Sequence, residues 1–325
     1  MRTILVTGAT GFIGRNLLAE LIRSDDYKVR AVIRRETDLD KRIEQVCGDL
    51  ADETFLAKAL RNVDVVVHLA ALRPGKSGYP EDCWRVNYLL TGKLLEESAE
   101  NRIEHFIFCS SVGVTGWRGE LPMSENTPFD PVGPYHEAKA AAERLVLTYN
   151  DVLPVTIVRP TITYGPGDKD GLVAKIFQLV AKGVFVFVGN GRNCLHLSYI
   201  GNIVNGFSLI LRQRGCGKTY ILADEKEMTM RELVDFISTL LGVSYNKIFL
   251  PYRLAKGAMI LYQRLGEKAP STSLPKGTVE SVDILSRNRR YSIAAAREFG
   301  YDPEFSTIEG LEVSASWYNQ LINQR

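Results

Sequence analysis

The first fourteen residues constrain the fold more than any other stretch. Met1–Arg2–Thr3–Ile4–Leu5–Val6 is a short, largely apolar run that breaks at once into Thr7–Gly8–Ala9–Thr10–Gly11–Phe12–Ile13–Gly14. Phe12, Leu17, Leu18, Leu21 and Ile22 then recur at helical spacing. Strand, glycine turn and helix follow one another in the order a dinucleotide-binding unit needs. Gly8 suits the tight turn, Gly11 leaves room for a pyrophosphate at the backbone, and Gly14 lets the helix lie close on the strand. Phe12 and Ile13 open that helix, whose free N–H groups and positive dipole end would face the phosphates.

Glycine triplets recur in loops of every kind, so the rest of the chain has to carry the reading. Lys28–Ile33 reads as a second strand, and Val46–Leu50 as a third running into a turn with Asp49 and Leu50. Val63–His68 is nearly all apolar, as a parallel strand covered on both faces must be. It ends in Leu69–Ala70–Ala71, small enough at its tip for a cofactor to approach the backbone, and His68 beside it reads as structural. Ile103–Cys109 and Val155–Val158 are a fifth and sixth strand, with helices expected over Trp84–Asn101 and Tyr135–Tyr149. This alternation predicts an α/β fold, a Rossmann-type doubly wound parallel sheet that gathers its ligands along one edge. Beyond Arg159–Pro160 the rhythm loosens, which predicts a smaller C-terminal α/β lobe. The expected division is 1–165 for the dinucleotide and 166–325 for substrate, with the two partly interleaved.

Composition mainly excludes. A chain of 325 residues, 45% hydrophobic and 24% charged, can bury a large core and is ordinary for a soluble enzyme. A net charge of +2, with no basic run interleaved with aromatics, argues against a nucleic-acid partner. Cys47, Cys83, Cys109, Cys194 and Cys216 are odd in number and lack Cys-x-x-Cys spacing. They read as core thiols in a reducing compartment, with no disulfide frame and no metal site. The apolar start is too short for a signal peptide, and no segment has the length of an integral membrane span. The expectation is a cytoplasmic protein acting on a small molecule.

Tyr135 and Lys139 stand four apart on one expected helix, so their side chains emerge on one face. A phenol titrates near ~10, and a cation beside it brings that value toward working pH. Ser111, just past the fifth strand, lies at the edge where ligands collect. The expected roles are proton transfer at the reacting oxygen for Tyr135, orientation of that oxygen for Ser111, and lowering of the phenol pKa for Lys139. The second strand ends in Arg34–Arg35 rather than in a carboxylate. An acid there takes the ribose hydroxyls of NAD, whereas an arginine can pair with the 2′-phosphate of NADP, so the sequence leans to NADP over NAD through Arg34.

Thr7–Gly14, Ser110–Gly116, Tyr135-His136-Glu137-Ala138-Lys139 and Arg159–Asp168 together resemble the successive signatures of the extended short-chain dehydrogenase/reductase superfamily, the NAD-dependent epimerase/dehydratase family. The likeness covers essentially the whole chain. It implies that Lys139 also binds the nicotinamide ribose, that Asp49 holds the adenine amino group, and that Pro160 and Thr161 lie beside the nicotinamide carboxamide. Asn87 matches a family asparagine near the active site, though capping or packing explains it equally well. Members often pair through the helices near Ala99 and Ala141, which implies a homodimer.

Two departures bear on substrate. The 4,6-dehydratases follow the catalytic Ser/Thr with an Asp-Glu pair, where this chain has Val112–Gly113. The hexose 4-epimerases carry an arginine where this chain has Leu195-His196-Leu197-Ser198-Tyr199, so Arg192 would have to substitute. The run from Gly189 to Val204, Tyr199 included, is similar to the 3β-hydroxysteroid dehydrogenase branch, and Val29–Arg34 to dihydroflavonol reductases. The reading is an NAD(P)-dependent oxidoreductase interconverting a secondary alcohol and a ketone on an apolar or sterol-like substrate. The alternatives are a nucleotide-sugar epimerase or reductase and a non-catalytic dinucleotide-binding regulator. In the segment 252–265, Leu254, Ala258, Leu261, Tyr262 and Leu265 share a face opposed by Arg253, Lys256 and Arg264, which would pack on the protein, lid an apolar substrate or touch a membrane surface.

Overall fold

The computed structural model describes residues 1–73, 80–117, 120–215, 217–266 and 279–323; Cys216 lies outside them. The amino-terminal half runs β1 (Arg2–Thr7), α1 (Phe12–Leu21), β2 (Tyr27–Ile33), β3 (Ile43–Cys47), α2 (Glu53–Leu60) and β4 (Val65–His68). It continues through α3 (Pro80–Trp84), a π-helical turn (Arg85–Leu89), α4 (Leu90–Glu100), β5 (His105–Cys109), α5 (Pro134–Thr148) and β6 (Val155–Pro160). Then come β7 (Ile162–Tyr164), α6 (Leu172–Ala181), β8 (Val184–Val188), β9 (Cys194–Leu195), β10 (Leu197–Tyr199), α7 (Ile200–Gln213) and β11 (Lys218–Leu222). The chain closes with β12 (Met228–Thr229), α8 (Met230–Leu241), β13 (Asn246–Leu250), α9 (Tyr252–Gly266), α10 (Val279–Ser286), α11 (Ala294–Glu298) and α12 (Thr307–Asn323).

Seven strands form one sheet in the order β11-β6-β5-β4-β1-β2-β3, every pair parallel. The order reverses between β1 and β4, and this switch point opens a crevice beyond the strand C-termini. Side chains alternate between two packed layers because successive residues of a strand face opposite ways. Ile4, Val6, Val65, Val67 and Ile107 join the layer holding Leu17, Leu18 and Leu21 of α1 and Ile203 and Phe207 of α7. Leu5, Val66, Phe106 and Phe108 join the other, with Leu56 of α2, Leu94 of α4 and Val146 of α5. The apolar runs read from the sequence are therefore strands buried on both faces, in a Rossmann-type doubly wound fold.

The carboxy-terminal half does not keep to itself. β11 pairs with β6 from Lys218↔Thr156 to Leu222↔Pro160 and so completes the main sheet. The rest builds three two-stranded sheets, β7 with β10, β9 with β12 and β8 with β13. In α9, Ala255 is buried and Met259 packs beside it, whereas Leu254 and Leu261 are 61% and 59% exposed. The face singled out in the sequence thus points outward. Among the described residues no helix is long and apolar enough to cross a membrane.

Candidate active site

The glycine turn is shaped by what presses on it. Gly8 has φ +68°, and a Cβ there would lie 2.6 Å from both the Ala70 nitrogen and the Leu69 carbonyl carbon, so the turn sits directly on the end of β4. A Cβ at Gly14 would strike the Gly8 carbonyl oxygen and Ala9. Gly11 caps α1 with no side-chain hydrogen bond, which leaves the first helical N–H groups open to an anion. At the far side of the crevice Thr161 is buried, and its Oγ1 has no hydrogen-bond partner among the described residues. A bare helix end and an orphaned hydroxyl next to Pro160 fit a dinucleotide laid across the switch point.

A buried hydrogen-bond chain ties this turn to the opposite wall. Thr91 Oγ1 donates to the Asn87 carbonyl, at 2.9 Å, so its only proton is used. His68 Nε2, 2.9 Å away, must then donate to Thr91, and His68 Nδ1 accepts from Thr7 Oγ1 at 2.6 Å. Thr7 Oγ1 in turn accepts from the Ala70 N–H. Burial, with Lys139 nearby, pushes the imidazole down to about 3, which agrees with a neutral ring. His68 is structural, as its sequence setting suggested.

Asn87 sits in the π-helical turn, where one extra residue per turn rotates side chains relative to a plain helix. The unbroken helix expected over 84–101 is therefore corrected to α3, a π turn and α4. The Asn87 amide is fully buried and is spent on one neighbour: Oδ1 accepts from the Leu72 N–H at 2.8 Å and Nδ2 donates to the Leu72 carbonyl at 3.0 Å. It clamps the segment after β4 rather than facing substrate.

Tyr135 and Lys139 lie in the first two turns of α5, which opens at Gly133–Pro134. Lys139 is buried; its Nζ donates to the Cys109 carbonyl at the end of β5, at 2.5 Å, and lies 4.2 Å from the centre of the Phe108 ring. Burial lowers the ammonium to about 8, the Cys109 and Glu143 side chains oppose that shift, and Arg73 adds to it. Ser111 caps the 3-10 turn Val112–Thr115, its Oγ accepting from the Gly113 N–H at 3.1 Å, so its own proton remains to be donated.

Burial raises the Tyr135 phenol above its ordinary value, and the group that pulls it back is Arg73, both by charge and by a hydrogen bond. The Lys139 ammonium one turn on is tied to the end of β5 through the Cys109 carbonyl. Nothing in the local pattern around Arg73 marked it; the residue before it, Leu72, is the one clamped by Asn87, fifteen residues on.

Behind these groups lies a buried ion pair. Arg159 Nη2 donates to Glu143 Oε1 at 2.5 Å, with side-chain exposures of 3% and 0%. Arg159 Nε shares the same carboxylate, Ser110 Oγ donates to Glu143 Oε2 at 2.6 Å, and Arg159 Nη1 bonds the Glu125 carbonyl. One carboxylate thereby locks α5 to the ends of β5 and β6, the strands that lead to Ser111 and to Pro160–Thr161. The sequence reading did not single out Glu143, although it stands one turn beyond Lys139.

The remaining expected residues scatter by element. Arg34 is exposed beyond β2, while Arg30 within it is engaged by Glu44 and the Ala59 and Arg61 carbonyls. Asp49 is exposed and accepts from the Ala51 N–H; Leu50 packs against the layer beneath α2. Phe12, Ile13, Leu69 and Ala70 are half-buried, and Ala71 is exposed. Arg192 lines a cavity of about 390 Å³ with Asn193, Tyr252, Arg287 and Asn288. Tyr199 is corrected: it is buried between Tyr164 and Phe305, at 5.7 and 5.0 Å between ring centres, and serves the core instead of a substrate.

A model of the "NAD dependent epimerase/dehydratase family" matches residues 4–223. The chain is 31% identical over 256 residues to the Escherichia coli O157:H7 N-acetyl-alpha-D-glucosaminyl-diphospho-ditrans,octacis-undecaprenol 4-epimerase, covering 77% of this chain and 76% of that one. It is 29% identical to the Mycobacterium tuberculosis 3 beta-hydroxysteroid dehydrogenase/Delta 5-->4-isomerase, covering 99% and 91%. Its fold is that of the Bacillus cereus UDP-glucuronic acid 4-epimerase solved with NAD, with a TM-score of 0.80 at 23% identity over 98% of this chain and 99% of that one. The chain belongs to the NAD-dependent epimerase/dehydratase family, enzymes of the extended short-chain dehydrogenase/reductase type.

Proposed function

We propose that the protein is an NAD-dependent oxidoreductase interconverting a secondary alcohol and a ketone on a moderately apolar substrate. The observation that carries this reading is the Lys139 hydrogen bond to the Cys109 carbonyl, which ties the helix bearing Tyr135 to the strand that leads into Ser111. Tyr135 takes or gives the proton on the reacting oxygen. Ser111, whose hydroxyl donates to no group among the described residues, orients that oxygen. Gly8, Gly11, Phe12, Ile13 and Gly14 would hold the pyrophosphate, Leu69–Ala71 the floor of the crevice, Asp49 and Leu50 the adenine, and Lys139 with Pro160 and Thr161 the nicotinamide end. When bound there, the nicotinamide supplies the carbon that gives or accepts hydride.

NAD is the dinucleotide of this reading, since the family and the epimerase solved with its cofactor both point to it. Arg34 is the residue that would read a 2′-phosphate if NADP also served. A second reading, nucleotide-sugar epimerisation, is favoured by the cavity that Arg192 and Arg287 line, because two guanidinium groups suit a diphosphate. Incubating the purified protein with each dinucleotide and a panel of hydroxysteroids, β-hydroxy acids and nucleotide sugars decides between them. Net formation of the reduced ring with an alcohol is expected. Inversion of a sugar carbinol with no net reduction would replace the oxidoreductase with the epimerase. Tyr135→Phe should keep dinucleotide affinity and lose turnover by about three orders of magnitude; a rate near that of the unaltered protein removes the phenol from the mechanism.

A further inference from the structure

Two buried side chains near the Ser111 turn each keep a polar group unused. Arg289 Nε and Tyr291 Oη have no hydrogen-bond partner among the described residues, although these residues are only 8% and 3% exposed. Their exposed neighbours are served: Arg287 pairs with Asp283 and Arg290 with Glu227, whereas no carboxylate among the described residues pairs with Arg289. The Trp117 ring meets its charge, with 6.0 Å between the guanidinium carbon and the ring centre, the outer reach of a cation–π contact. A buried guanidinium without a counter-ion is costly, and a buried hydroxyl without a partner adds to that cost.

Backbone hydrogen bonds hold the segment that carries the pair. The Arg289 N–H donates to the Cys194 carbonyl at 2.8 Å, the Met123 N–H to the Arg290 carbonyl at 2.9 Å, and the Ser292 N–H to the Met123 carbonyl at 2.7 Å. Residues two apart on an extended segment point the same way, so Arg289 and Tyr291 share a side. Tyr291 belongs to a small buried cluster with Val112, Met123 and Ile221, and Val112 directly follows Ser111. The pair thus borders the turn from which Ser111 acts. Burial raises the Tyr291 phenol, against the pull of the Arg289 charge, so its proton stays on and can be donated. Neither residue lines the cavity of Arg192 and Arg287.

We infer that Arg289 and Tyr291 form an oxyanion subsite beside Ser111, and that the substrate of the reaction proposed above carries a carboxylate or a phosphate that this subsite takes. The role in substrate binding rests on that reading; the preference for an anion rests on the two unused groups. A guanidinium offers N–H donors in a fixed fork and a phenol one O–H, so a group with two or more charged oxygens accepts from both. A neutral hydroxyl would leave the buried charge uncompensated. The two side chains are specificity residues.

Calorimetric titration of inorganic phosphate and of acetate into the NAD-saturated full-length protein, at constant ionic strength, tests the subsite without turnover. Saturable binding of at least one of them is expected, and the tighter of the two names the substrate group. Arg289→Gln should weaken it at least about tenfold and Tyr291→Phe at least about threefold, as the loss of charge-assisted contacts does. The exposed-charge control Arg290→Gln should change it by less than about twofold. Arg289→Gln should unfold at no lower temperature than the unaltered protein, since it removes an unpaired buried charge. If it does not fold, Tyr291→Phe, which removes a single oxygen, carries the test. No binding of either anion, or affinity that survives Arg289→Gln and Tyr291→Phe, overturns the inference. So does a loss found in Arg287→Gln alone, which would assign the anion to the neighbouring cavity. Anion affinity that depends on Arg289, with no dinucleotide reduced by any alcohol, would instead sink the proposed oxidation and leave the subsite standing.

Discussion

Glu143 and Arg159 face each other with almost no access to water, so neither charge can be solvated if its partner goes. Glu143→Gln should cost about 3–5 kcal/mol of stability, read by urea unfolding, because Arg159 is left buried and unpaired; a loss below about 1 kcal/mol would show the pair to be replaceable. The same change removes a carboxylate that raises the Lys139 ammonium, which burial has already lowered to about 8. Lys139 is charged below its pKa, so a lower value means the charge is lost at a lower pH. The alkaline limb of the pH–rate profile should therefore move down in Glu143→Gln, and an unmoved limb would show that Lys139 does not set it. Ser111, Tyr135 and Lys139 were legible because their types and spacing lie within single elements. Glu143 was not, because what makes it matter is Arg159, the group it meets across the fold.

At the scale of elements, α1 shows how little tolerance the glycine turn has. A methyl group at Gly14 meets backbone on both sides, at Gly8 and Ala9, and backbone cannot swing aside as a side chain can. Gly14→Ala should cost about 1–3 kcal/mol in thermal or denaturant unfolding and weaken NAD binding, since the helix must lift from the strand it caps; native affinity would show that the turn yields freely. The π turn over Arg85–Leu89 is the element the periodicity misjudged. Apolar spacing reports which side of a helix is buried, and one added residue is invisible to it. Asn87→Ala should leave the N–H and carbonyl of Leu72 without their partner, a loss of about 1–3 kcal/mol by the same unfolding measurement, with no loss identifying a water-filled substitute.

For the whole molecule, two histidines inside the sheet set the response to acid. Burial lowers His68 from an ordinary 6.5 to about 3 and His105 to about 4. Unfolding releases both to titrate near 6.5, so between that pH and their folded values the unfolded chain binds protons that the folded chain refuses. Stability should fall as pH drops from 7 to 5.5, a window above the ordinary carboxylates; a flat unfolding free energy across it would mean that the rings are hydrated. Arg2–Gly14, the later strand runs and the motif residues were enough to determine an α/β chain of this family, because a parallel strand buried on both faces must be apolar throughout and a dinucleotide turn must be glycine. Tertiary structure alone decided that β11 closes the main sheet, that Tyr199 belongs to the core, and that Glu143 pairs with Arg159 beneath the site. Those outcomes depend on distances between segments far apart in the chain, which spacing along a sequence does not encode.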